Sequence, residues 1–204
     1  KGKKIVVDCD DYLEMDDSNP HNWEHKIFDA NFVIKRTMQI ADMVTTTTEY
    51  LASKLRKLNN NVVVLPNYMD MERWKKPILK NKSSTIRIGW AGSITHTEDI
   101  KMIVKPLKKI LHEFPNTILI LVGDPRNGIP FEGCRVENMM GVPFKFWPTK
   151  LQSLRLDIGI APLRDTEFNK CKSRIKFYEY AIAGVPGVFS PTVYQERAFD
   201  GHFG

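Results

Sequence analysis

Residues 86–92, Ile86-Arg87-Ile88-Gly89-Trp90-Ala91-Gly92, and residues 117–122, Thr117-Ile118-Leu119-Ile120-Leu121-Val122, flank a stretch with helical spacing over 98–112. Short apolar runs that end at glycine read as strands, so this is a strand, helix, strand unit. The rhythm continues through a Gly/Pro-rich loop, a short helix over 149–154, a strand over 157–161, a helix over 174–183 and a strand over 185–189. Strands separated by helices predict an α/β fold with a doubly wound parallel sheet. Ligands of such sheets sit beyond the carboxyl ends of the strands, here Gly92, Gly123-Asp124 and Pro162-Leu163.

Upstream, the same alternation is shorter. A strand over 5–7, apolar residues at mixed helical spacing over 23–40, a strand at 43–44, a helix over 49–58 and a strand over 62–65 form another β, α, β run. Residues 71–84 are polar and turn-rich without periodicity, which puts a boundary between a domain over 1–74 and one over 85–204. The first residue is not Met and the chain enters a strand at once, so the sequence reads as a fragment truncated in its first domain.

Composition narrows the function classes. With 204 residues, 42% hydrophobic and 26% charged, the chain is globular and long enough for a sizeable core. The net charge of +6 comes from 30 Lys and Arg against 24 Asp and Glu, too evenly mixed for a nucleic-acid sleeve. The apolar run 118–122 is far short of the ~18 residues of a membrane span, and no transmembrane segment is expected. Cys9, Cys134 and Cys171 are odd in number and far apart, giving neither a disulfide framework nor a metal pair. A cytoplasmic, reducing location follows, with peripheral attachment to a membrane left open.

The helix near Ser173 is the most informative stretch. Ser173 reads as an N-cap, yet Lys170, Lys172, Arg174 and Lys176 surround it where Asp or Glu would normally complement the helix dipole. Free amides and cations together suit a phosphate, with Lys172 and Lys176 spaced to reach one ligand; the alternative is a solvated basic face. Ile175, Tyr178 and Ile182 form an apolar stripe, and Glu179 lies at its edge. Its carboxylate could accept from two vicinal ribose hydroxyls, or pair with Lys176. Gly92-Ser93 follow a strand and could approach a diphosphate closely, with His96 beside them, while Thr95 and Glu98 have the spacing of a capping box.

Asp8-Cys9-Asp10-Asp11 after the first strand admits three readings: the nucleophile and acid of a phosphatase of the haloacid dehalogenase type, a DxD metal site, or a strand end with capping acids. The phosphatase pattern wants Thr or Val in place of Tyr12, and past Gly123-Asp124 offers Asn127 where an acid is needed.

These motifs, in order, resemble the glycosyltransferases of the group 1 or family 4 type with the GT-B fold. Ala41-Asp42-Met43-Val44-Thr45, Glu49-Tyr50-Leu51-Ala52 and Leu65-Pro66-Asn67-Tyr68-Met69-Asp70 resemble the end of their N-terminal, acceptor-side domain. Ile88 to Ser93 with His96 and Asp99-Ile100, then Leu121-Val122-Gly123-Asp124, Asp157 to Leu163, Lys176 to Ala181 and Gly184-Val185-Pro186 resemble their donor-binding domain. The resemblance implies two Rossmann-like domains and transfer of a sugar, with retention, from a nucleotide-diphosphate donor to an acceptor it does not name. It makes Glu179 the ribose contact, Lys172 and Lys176 the diphosphate cations, Gly92, Ser93, His96 and Ser173 part of the donor site, and places Gly141-Val142-Pro143 near the base. It requires no metal and no separate cofactor, and assigns no catalytic residue. Many members carry another Glu eight positions before this one, where Cys171 stands. A phosphatase acting through Asp8 and Asp10, and a non-catalytic nucleotide-binding module, are the rival functions.

Overall fold

A computed structural model describes residues 2–12, 30–75, 80–123 and 130–194. In chain order the elements are β1 (Val6–Asp8), α1 (Ala30–Ile40), β2 (Met43–Thr46), α2 (Glu49–Leu55), β3 (Val62–Val64), α3 (Met71–Trp74), β4 (Ile86–Gly92), a 3-10 turn (Ile94–His96), α4 (Thr97–Lys101), α5 (Val104–Glu113) and β5 (Thr117–Gly123). There follow β6 (Val136–Met140), a 3-10 turn (Phe144–Phe146), α6 (Trp147–Ser153), β7 (Ile158–Ala161), α7 (Glu167–Lys170), α8 (Ile175–Ile182), β8 (Gly187–Phe189) and α9 (Pro191–Tyr194). Asp124, Asn127, residues 23–29 of the expected first helix and residues 76–79 of the expected boundary lie outside the described residues.

The strands form two parallel sheets, β1-β2-β3 and β6-β5-β4-β7-β8. The larger one is wound on both faces, as alternation along β5 shows. Leu119 and Leu121 join Ile100, Leu107 and Leu111 of α4 and α5, whereas Ile120 and Val122 join Trp147, Leu151, Tyr180 and Ala183 of α6, α8 and the turn after it. Both faces of β5 are apolar because both are covered.

The chain divides into two compact units: Lys1–Tyr68 with Asp165–Arg174 and Gln195–Gly204, and Met69–Arg164 with Ile175–Tyr194. This differs from a cut between 74 and 85 in two places. Helix α3 groups with the larger sheet because Trp74 is buried in its core beside Trp147 and Leu151. Residues 165–174 group with the smaller sheet: Cys171 is packed with Cys9, Val44, Leu51 and Leu55, and Thr48 Oγ1 donates to the Cys171 carbonyl at 3.0 Å. Glu167 reinforces this by accepting from Lys54, Tyr50 Oη and Lys170, and the Lys54 hydrogen bond is the largest cause of its pKa falling to about 2.

Several local expectations are corrected. The helix over 98–112 is two helices, because Pro106 has no N–H to offer the Met102 carbonyl; restarting at Val104 places the proline in a first turn, where no donor is needed. Helix α2 stops at Leu55 rather than 58, and Asn59 Nδ2 donates to the Met38 and Ala41 carbonyls. Residues 136–140 form an edge strand paired with β5, although Glu137 and Asn138 give them no strand-like alternation. The stripe Ile175, Tyr178, Ile182 is not the buried face of α8. Tyr178 is exposed, whereas Glu179 and Tyr180 are buried, the Tyr180 hydroxyl donating to the Ile160 carbonyl at 3.2 Å.

Candidate functional site

The carboxyl edge of the larger sheet is where its strands release loops that can meet a ligand. There β4 and β5 end side by side at Gly92 and Gly123. Gly123 has φ +151°, and a Cβ on it would stand 2.0 Å from the Gly92 carbonyl oxygen, so only glycine fits. Gly92 is also required by packing: a Cβ there would meet the Trp90 ring at 2.5 Å. The glycine expected to admit a diphosphate is therefore demanded first by its own strand.

Beyond Gly92 the chain turns tightly. Ser93 Oγ and Thr95 Oγ1 are 2.6 Å apart, His96 N donates to the Ser93 carbonyl at 3.0 Å, and Thr97 Oγ1 donates to the Ile94 carbonyl at 2.7 Å. The capping box is absent, since Thr95 sits inside the 3-10 turn and Glu98 pairs with Lys101. Asp99, only 3% exposed, reaches back to His96 Nδ1 at 2.8 Å and accepts from Arg164 N at 2.9 Å, with Arg164 Nε at 3.6 Å. The loops after the adjacent strands β4 and β7 thus share one buried carboxylate. The loop after β8 joins them, Ser190 Oγ accepting from Leu163 N and Thr192 Oγ1 donating to its carbonyl.

Helices α6 and α8 connect parallel strands, so each runs back against the strand direction and begins at this same edge. Their first turns meet. Lys176 Nζ lies 4.9 Å from the Trp147 ring centroid and 2.8 Å from Glu179 Oε2. Glu179 is 4% exposed, and Trp147 Nε1 is buried with no hydrogen-bond partner among the described residues. A buried indole N–H left unmade costs about 1–3 kcal/mol, so this corner holds a donor, a cation and a carboxylate in contact. Trp147 was not singled out from sequence; its signal was an indole opening a helix just past Gly141-Val142-Pro143.

Gly92, Ser93, His96, Lys176 and Glu179 belong to the larger unit, whereas Lys172 and Ser173 belong to the smaller one. Lys172 is outside any helix, so helical spacing does not relate it to Lys176; its ammonium is 3.0 Å from Asp11 Oδ1 and 4.3 Å from the Phe168 ring centroid. Helix α8 begins at Ile175, and the Ser173 hydroxyl accepts from Asn67 Nδ2 at 2.8 Å rather than capping it. Cys171, at the position of the absent Glu, is fully buried, and burial raises its thiol to about 11. Asp8 ends β1 and accepts from Thr45 Oγ1, its register partner, at 2.5 Å. Among the described residues no group of three His, Cys, Asp or Glu is placed to hold a metal ion, and no helix is long and apolar enough to cross a membrane.

Neither a family model nor a curated protein sequence matches this chain. Solved structures do. S. aureus TarM in complex with fondaparinux, alpha-GlcNAc-glycerol and UDP aligns over 80% of this chain and 32% of its own, with TM-score 0.56 and 11% identity. The chain has the GT-B fold. Another structure with this fold that the chain matches is the catalytic domain of starch synthase IV from Arabidopsis thaliana bound to ADP and acarbose (TM-score 0.55, 16% identity, 83% of this chain and 43% of that one). OtsA in its apo form gives TM-score 0.51 at 14% identity over 80% and 49%. This GT-B chain thus spans between about a third and about half the length of the structures it matches.

Proposed function

We propose that this chain is part of a glycosyltransferase that moves a sugar from a nucleotide-diphosphate donor to an acceptor, the donor binding at the carboxyl edge of the five-stranded sheet. The contact of Lys176, Glu179 and Trp147 at that edge carries the reading. It is supported by the GT-B fold, shared with structures that hold UDP or ADP. Lys176 faces the diphosphate and Glu179 accepts from the ribose hydroxyls, with Gly92 and Ser93 at the diphosphate and His96 alongside. Lys172 and Ser173, the other residues expected at the donor, lie in the smaller unit, where Lys172 pairs with Asp11 and Ser173 accepts from Asn67. In the reaction the bond from the anomeric carbon to the diphosphate oxygen breaks, one to the acceptor oxygen forms, and the proton of the acceptor hydroxyl passes to the departing diphosphate. The leaving diphosphate gains charge, which a preorganised ammonium stabilises most in the transition state. Retention at the anomeric carbon goes with this assignment.

Asp8 has a structural role here, as hydrogen-bond acceptor for Thr45 at the end of β1. Asp8→Asn keeps an oxygen for that bond, so nucleotide binding should be unchanged within about twofold, and the protein should not hydrolyse p-nitrophenyl phosphate with magnesium. Rapid hydrolysis lost in Asp8→Asn would instead identify a phosphatase.

A further inference from the structure

The group formed by His96, Asp99 and Arg164 has a chemical polarity that the donor-site reading leaves unused. Asp99 is buried and its two oxygens are divided: Oδ1 takes the Arg164 N–H, with the guanidinium Nε at 3.6 Å, and Oδ2 faces His96 Nδ1 at 2.8 Å. An ionised carboxylate only accepts, so the hydrogen between them belongs to Nδ1. In a neutral imidazole with Nδ1–H, Nε2 carries a lone pair. The ring is a quarter exposed while Asp99 is 3% exposed, so the Nδ1 edge is the buried one and the Nε2 edge faces outward.

A lone pair cannot bind phosphate oxygens, which are acceptors themselves. It needs a hydroxyl or an N–H.

Resting on the donor-site reading, we propose that His96 Nε2 accepts a hydrogen bond from a hydroxyl of the transferred sugar, and that Asp99, locked by Arg164, is the positioning residue that fixes this tautomer. Three features fit. His96 stands one turn past Gly92-Ser93, at the strand end where the diphosphate and its sugar meet. On the same reading the ribose hydroxyls go to Glu179, which lies on a different element. The shared carboxylate ties the loops after β4 and β7 into one rigid support, which is what a directional hydrogen bond to a substrate requires.

Imidazole nitrogen NMR on the whole chain labelled at its five histidines, with His96 assigned by His96→Ala, reads the tautomer directly. The wild type should show a protonated Nδ1 and a pyridine-type Nε2 at neutral pH, and Asp99→Asn, whose amide can donate to Nδ1, should reverse them. Calorimetry then compares UDP, ADP and GDP with their hexose conjugates. For the conjugate bound most tightly, His96→Ala and Asp99→Asn should each weaken binding by about five- to tenfold, leaving the parent diphosphate within about twofold. A protonated Nε2 in the wild type overturns the proposal. Equal losses for diphosphate and conjugate overturn it alone, by making His96 a phosphate contact, whereas a wild-type chain that binds no nucleotide overturns the donor reading beneath it.

Discussion

Lys176→Met should destabilise the larger unit by about 3 kcal/mol, because it leaves a buried carboxylate without its cation. Glu179 has only 5% of its side chain exposed and Lys176 29%, with 2.8 Å between them, so the pair is enclosed mainly on the acid's side. That asymmetry orders the single variants. Glu179→Gln should cost about 1 kcal/mol, since the Lys176 stem can stay on the Trp147 ring while its ammonium turns to water. Lys176→Met combined with Glu179→Gln should recover most of what Lys176→Met loses, for a neutral amide tolerates burial far better than an ion does. Hydrogen exchange of the 175–182 peptide under increasing urea measures the series on the element concerned. A double variant no more stable than Lys176→Met would show that the unpaired buried carboxylate is not what destabilises Lys176→Met.

Glu179→Gln, mild in stability, should be severe in binding. If the carboxylate accepts from both ribose hydroxyls, the amide can accept from only one, and the loss should be ~1.5–3 kcal/mol for a ribonucleoside diphosphate. A 2′,3′-dideoxy diphosphate, already without those hydroxyls, should bind wild type and Glu179→Gln alike. Equal weakening of both ligands would make Glu179 a purely structural partner of Lys176. Calorimetry on the two ligands decides between these, and the exchange data show that the variant is folded when it is tested.

The alternation of strands and helices was legible because β4 and β5 are apolar runs ending at glycine, and such runs survive any tertiary context. Strand β6 was not, since an edge strand with Glu137 and Asn138 at its centre needs no apolar alternation to pair with β5. The assignment of residues 165–174 to the smaller unit was also hidden. It depends on Cys171 and Thr48, far apart in sequence, and Cys171 matters there as a small buried side chain rather than as a thiol. In the candidate site, the spacing of Lys176 and Glu179 showed that they could pair, but not that Glu179 is buried. Helical spacing placed Ile175, Tyr178 and Ile182 inside; instead the Tyr180 hydroxyl finds backbone carbonyls of β4 and β7 and turns the helix to suit. Asp99 entered only as part of the motif it resembles, because an acid in the first turn of a helix ordinarily serves the dipole, whereas here it is buried and holds His96 and Arg164.

Calorimetry of the chain with nucleoside diphosphates and monophosphates, at about 50 mM and about 500 mM salt, tests the donor site most directly. The account predicts that at least one diphosphate binds about tenfold or more tightly than its monophosphate, through charge-assisted contacts, and that the preference shrinks at the higher salt. Equal binding of diphosphate and monophosphate, unaffected by salt, or no binding of either, would contradict it.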